Sequence, residues 1–114
     1  MYRYRRAPLK IRLSPELLAT IHNEANAFEQ HYGRKPLVTD PVFFDPNLSG
    51  VQPLAGTCLH LYLNELSRRT GLMPAKIYAY HKLHRHGSYY DRMLWSDALS
   101  EYETLSRIER DYRL

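Results

Sequence analysis

Apolar residues recur at helical spacing in four stretches of the chain. Leu17, Leu18, Ile21, Ala25, Phe28 and Tyr32 lie on one stripe, the spacing of an amphipathic helix. Ser14, Pro15 and Glu16 ahead of it supply a hydroxyl cap, a first-turn proline and an acid at the positive end of the dipole, and Gly33 closes it. Cys58, Leu59, Tyr62, Leu63 and Leu66 mark a second helix that begins at Thr57 or Gly56 and ends at Gly71. Leu72, Ile77 and Tyr80, with Pro74 in the first turn, predict a third running to about His86 and ending at Gly87. Trp95, Leu99, Tyr102, Leu105, Ile108 and Tyr112 trace a last helix over 91–113, with Ser88 or Ser96 as its cap and Asp97, Glu101 and Glu109 toward water.

Two stretches depart from this period. Leu9, Ile11 and Leu13 alternate with Lys10 and Arg12, as in a strand with one covered face, while Pro8 separates off residues 1–8 as a basic arm in which Tyr2 and Tyr4 alternate with Arg3 and Arg5. Residues 34–56 hold Pro36, Pro41, Pro46 and Pro53 and predict an irregular connector. Within it Val42, Phe43 and Phe44 form either a short strand paired with 9–13 or an apolar clip on the core; exposed, they would be a protein-binding patch. The expected fold is mainly α: a single small domain over 1–114, with three to five helices and a short N-terminal β-strand or hairpin.

At 114 residues, 44% hydrophobic and 25% charged, the composition is that of one globular domain with its own core. No apolar run approaches the length of a membrane span, and the first six residues lack the apolar core of a secretion signal, so a cytoplasmic location is expected. The lone Cys58 reads as a buried small hydrophobe. The net charge of +4 is unevenly distributed: residues 1–12 carry five cations and no acid, residues 65–87 five cations against one acid, and residues 91–114 six acids against four cations. Such blocks suit a positive face presented to a polyanion, and equally an unevenly charged solvated surface.

The stretch from Leu63 to Leu83 resembles the helix-turn-helix family of DNA-binding proteins, with Gly71 at the corner and Leu66, Ser67, Leu72, Ile77 and Tyr80 where that family holds its two helices together. The likeness implies an outward recognition helix presenting Ala75, Lys76, Tyr78, Ala79 and Lys82. Ser67 stands where a small alanine is usual, and Met73 where a side-chain cap is frequent. Residues 10–18 are also similar to the opening of ribbon-helix-helix repressors, although a proline-rich loop follows where that family has its second helix.

The function expected from this resemblance is duplex DNA binding. Lys76, Tyr78 and Lys82 would enter the groove, Arg68, Arg69 and Arg85 hold phosphates, and an arm of Arg3, Arg5 and Arg6 wrap the duplex, with phosphate contacts dominating. The rival expectation is a small protein-interaction module using tyrosines and phenylalanines, with a homodimer as one form of partnership. No nucleophile-base pair, phosphate loop or carboxylate dyad is evident, so neither catalysis nor a cofactor is expected. His81 and His84, three apart on one helix, suit shared metal ligation or a phosphate-facing surface, and the spacing completes no metal site.

Overall fold

The first helix, α1, spans Pro15–Tyr32, starting where the Ser14 hydroxyl accepts the Leu17 N–H and stopping where Gly33 turns left-handed at φ 74°. In the computed structural model, which describes residues 11–108, three more helices follow: α2 (Gly56–Thr70), α3 (Pro74–Arg85) and α4 (Arg92–Arg107). The basic arm with Arg3, Arg5 and Arg6, the start of the expected strand and the last residues of the expected final helix lie outside the described residues.

Helix α3 occupies the middle. It packs on α4, on α2 and on α1, while α1 and α4 do not meet. Ile77, Tyr78, Ala79, His81 and Leu83 are all buried, so α3 is covered around most of its circumference. Leu17 and Ile21 of α1, Leu59, Leu63 and Leu66 of α2, and Ala98 of α4 complete the core around it, the usual way for amphipathic helices to bury their apolar stripes.

The connector between α1 and α2 belongs to this core. Val42 and Phe43 are buried, and the Phe43 ring packs 4.7 Å from His81, 5.5 Å from Tyr62 and 5.8 Å from Tyr78. Of the roles expected for this segment, the apolar clip is the one it takes. Phe44 forms an isolated antiparallel bridge with Pro53, and residues 11–13 form no strand; residues 9 and 10 of the expected pairing lie outside the described residues. The Ile11 N–H is instead bonded to the Ser88 carbonyl at 2.8 Å.

The α2–α3 corner is built as the sequence predicts. Gly71 takes φ 73° and its N–H bonds the Ser67 carbonyl at 2.9 Å. The Ser67 hydroxyl donates to the Leu72 carbonyl at 2.6 Å, tying the end of α2 to the entry of α3. This bond gives the Ser67 hydroxyl a structural role at the corner. At the start of α4 the cap is Asp91, whose carboxylate accepts the Leu94 N–H at 3.0 Å, and not Ser88 or Ser96. Cys58 is only half-buried.

Two substitutions test the corner. Ser67→Ala should cost about 1 kcal/mol through the lost hydrogen bond, and Gly71→Ala about 1 kcal/mol through left-handed strain alone, because no atom lies within 4 Å of the added methyl group. Urea denaturation would read both.

Candidate functional site

Among the described residues, several of those expected to face DNA are committed to partners within the fold. Tyr78 is 1% exposed; its hydroxyl donates to the Glu101 carboxylate of α4, and Lys82 pairs with the same carboxylate. Glu101, expected toward water, therefore roofs the side of α3 that the resemblance turned outward. Tyr78 also packs on Tyr102, with ring centroids 5.8 Å apart. Burial first, then the hydrogen bond to Glu101, pushes the Tyr78 phenol well above its ordinary range, so it stays a neutral donor. Of the five expected outward positions, Lys76 is exposed, Ala75 and Lys82 are half-buried, and Tyr78 and Ala79 are buried. Arg68 and Arg69 are exposed on α2 and share Glu65, at 3.1 and 3.6 Å.

Arg85 has a different role. Its Nη1 donates to the carbonyls of Pro41 at 3.0 Å, Asp40 at 3.3 Å and Leu37 at 3.4 Å, pinning the connector to the end of α3. Burial lowers its pKa from the usual value, partly offset by Asp40 and Glu24. The connector is shaped for this by Arg34, which holds Asp40 through two bonds of 2.7 and 3.0 Å, while Asp40 also accepts the Leu37 N–H at 2.6 Å. The Arg34 bond holds the Asp40 carboxyl below its ordinary range.

Beside Arg85 lies a cavity of about 340 Å³ between α1, the last turns of α3 and the start of the connector. Its wall contains His22, Asn26 and Glu29 from α1, Lys35 from the connector, and His81, His84 and Arg85 from α3, with Ile21, Ala25 and Pro36 as the apolar part. The His22 and His84 rings stand edge to face at 6.1 Å. His84 Nδ1 is 2.7 Å from the Ser88 hydroxyl. No family model, curated protein or solved structure matches the chain.

His81 shows how protons are distributed here. The Thr20 hydroxyl donates to the Leu17 carbonyl at 2.7 Å, so at the 3.1 Å contact with His81 it can only accept, and Nε2 of His81 carries the hydrogen. Burial, then the positive charge of Arg85, pushes the His81 pKa down from 6.5 to about 3. The imidazole is neutral and structural. Among the described residues, no group of three or more His, Cys, Asp or Glu side chains is placed to hold a metal. His81 and His84, expected either to share an ion or to face phosphate, take different partners.

Sequence reasoning singled out Arg85 and the α3 histidines but missed His22, Lys35 and Asn26, which lie roughly fifty to sixty positions earlier and join them only through the fold. A second hollow of about 350 Å³, lined by Ala27, Phe44, Leu54, Cys58 and Tyr62, is mostly apolar around Glu24. Burial raises the Glu24 pKa, opposed by the Tyr62 hydroxyl at 2.8 Å.

The His81 shift fixes a pH dependence. The unfolded state takes up a proton as pH falls below 6.5, whereas the folded state does so only near 3, so this residue's contribution to stability is lost progressively across that window. Glu24, raised from 4.5, acts in the opposite sense above that value. In urea titrations at several pH values, His81→Gln should be the less stable protein at pH 7, through lost packing on Phe43, and the gap should close toward pH 4. A gap independent of pH contradicts the assignment.

Proposed function

We propose that this domain is a non-catalytic protein-interaction module whose contact surface is the stretch joining α3 to α4. The observation that carries this reading is the exposure of Tyr89 (49%), Tyr90 (48%) and Met93 (77%) within five consecutive positions. Isolated apolar residues on a surface need no explanation, but a clustered set of tyrosine and methionine is the composition of a contact patch. The patch has a firm base. Tyr90 lies 6.4 Å from the Trp95 ring, and Trp95 lies 4.9 Å from Tyr80, which packs against the core. Ser88, at φ 66°, is held by its N–H on Leu83 and by its carbonyl on Ile11.

The distribution of charge supports an acidic protein partner. Residues 11–108 contain ten Lys and Arg and ten Asp and Glu, so the net charge of +4 falls entirely in the two ends of the chain. Residues 1–10 carry four cations and no acid, and the chain leaves them at Ile11, bonded next to Tyr89 at Ser88. Apolar anchors on a chain that also carries a basic run fit an apolar surface rimmed by acids. The duplex-DNA reading keeps Arg3, Arg5 and Arg6 but has less support from α3, since Tyr78 and Lys82 are committed to Glu101 and Arg68 and Arg69 to Glu65.

The test compares affinity capture from the native host by the natural chain, by a Tyr89→Ser, Tyr90→Ser, Met93→Ser variant, and by Leu61→Ser, which changes an exposed residue on α2. A discrete co-purifying protein should be retained by the first and third and lost from the second. Equal retention by all three, or bound material released by nuclease, overturns the reading.

A further inference from the structure

The cavity beside Arg85 is not used by the contact surface just proposed, and its chemistry is specific. Arg85 is half-buried and spends only Nη1 on the three carbonyls of the connector. Nε and Nη2 have no hydrogen bond to another described residue. Arg85 lines the cavity with Lys35, His22 and His84, which come from three separate segments. Glu29 is the one carboxylate in the wall, against two fixed cations.

We infer that this cavity binds a small phosphate monoester, with its phosphoryl oxygens on Arg85 and Lys35 and its organic part against Ile21, Ala25 and Pro36. Three features favour phosphate over carboxylate. A guanidinium fork with free donors matches phosphoryl oxygens in pairs. Cationic donors arriving from two separate segments, α3 and the connector, suit a tetrahedral group better than a planar one. The space of about 340 Å³ exceeds what a bare anion fills and falls in the range of small-molecule sites. His81 takes no part as a donor to the anion, since its one N–H is given to Thr20. Asn26 and His22 lie on the α1 wall, where they can accept or donate to the organic part.

The site is independent of the interaction surface, and its test uses the whole chain with inorganic phosphate, phenyl phosphate and acetate, followed by calorimetry and by amide and imidazole NMR shifts. Phenyl phosphate should bind saturably, more tightly than inorganic phosphate and at least tenfold more tightly than acetate, moving His22 and His84 signals. Lys35→Gln, at an exposed residue whose side chain holds nothing else in the described fold, should weaken phenyl phosphate roughly tenfold, the worth of one charged contact of about 1.4 kcal/mol. Glu29→Gln should tighten it severalfold, a gain that misfolding cannot imitate. Absence of saturable binding at millimolar phenyl phosphate, acetate binding as well as phosphate, or no change in either variant overturns the inference.

Discussion

The arrangement of the molecule depends on a single carboxylate. Glu101 on α4 accepts the hydroxyl of Tyr78 and the ammonium of Lys82, four positions apart on α3. Two donors one turn apart can share a carboxylate only when the facing helix is at one height and one rotation, so this contact fixes the register of α4. With α4 there, α3 is closed on its third side, and the helix that the sequence suggested would project outward becomes the axis of the core. The outer face of the domain is then made by α1, α2 and α4, and the remaining chemistry is confined to the end of α3 and the loop after it.

Much of this was legible in advance. Helix starts and stops at Ser14, Pro15, Gly33, Gly71 and Pro74 follow from local backbone chemistry, which does not depend on what packs where, and the glycine corner formed with the geometry expected of it. The direction in which each helix faces was less legible, for a physical reason. Tyr78 and Lys82 have amphipathic side chains, with an apolar stem and a polar tip, and periodicity cannot say whether such a tip meets water or a carboxylate some twenty residues later. Glu101 was misplaced by the same logic: an acid on the polar side of a helical stripe reads as solvated unless its partner is known.

The connector gives the complementary case. Its prolines exclude regular structure, and an apolar cluster inside such a loop left several roles open. The structure makes it a fourth wall, with Phe43 wedged among Tyr62, Tyr78 and His81 and with Arg85 and Arg34 binding its backbone and Asp40. Apart from the Arg34–Asp40 pair, six positions apart, these contacts join residues about twenty to forty-five positions apart, and nothing in local spacing encodes them. The candidate cavity exists only because of them, since Lys35 and Pro36 reach the end of α3 by way of the turn that Asp40 organises.

The polar groups of α3 illustrate how a small helical core can be made specific. Tyr78 and Lys82 are satisfied by α4, His81 by Thr20 of α1, and Arg85 by carbonyls of the connector. A purely apolar helix in this position could rotate or slide among near-equivalent packings, whereas each of these bonds is lost by a small rotation and leaves a buried polar group without a partner, at a cost of about 1–3 kcal/mol. The last turn of α3 adds one more consequence. A helix C-terminus presents partial negative charge and would repel an anion, but Lys82, His84 and Arg85 all fall in that turn, and with Lys82 given to Glu101 it is Arg85 that sets the local sign beside the cavity. The same end of α3 that locks the connector in place thereby also carries Arg85 in the wall of the cavity.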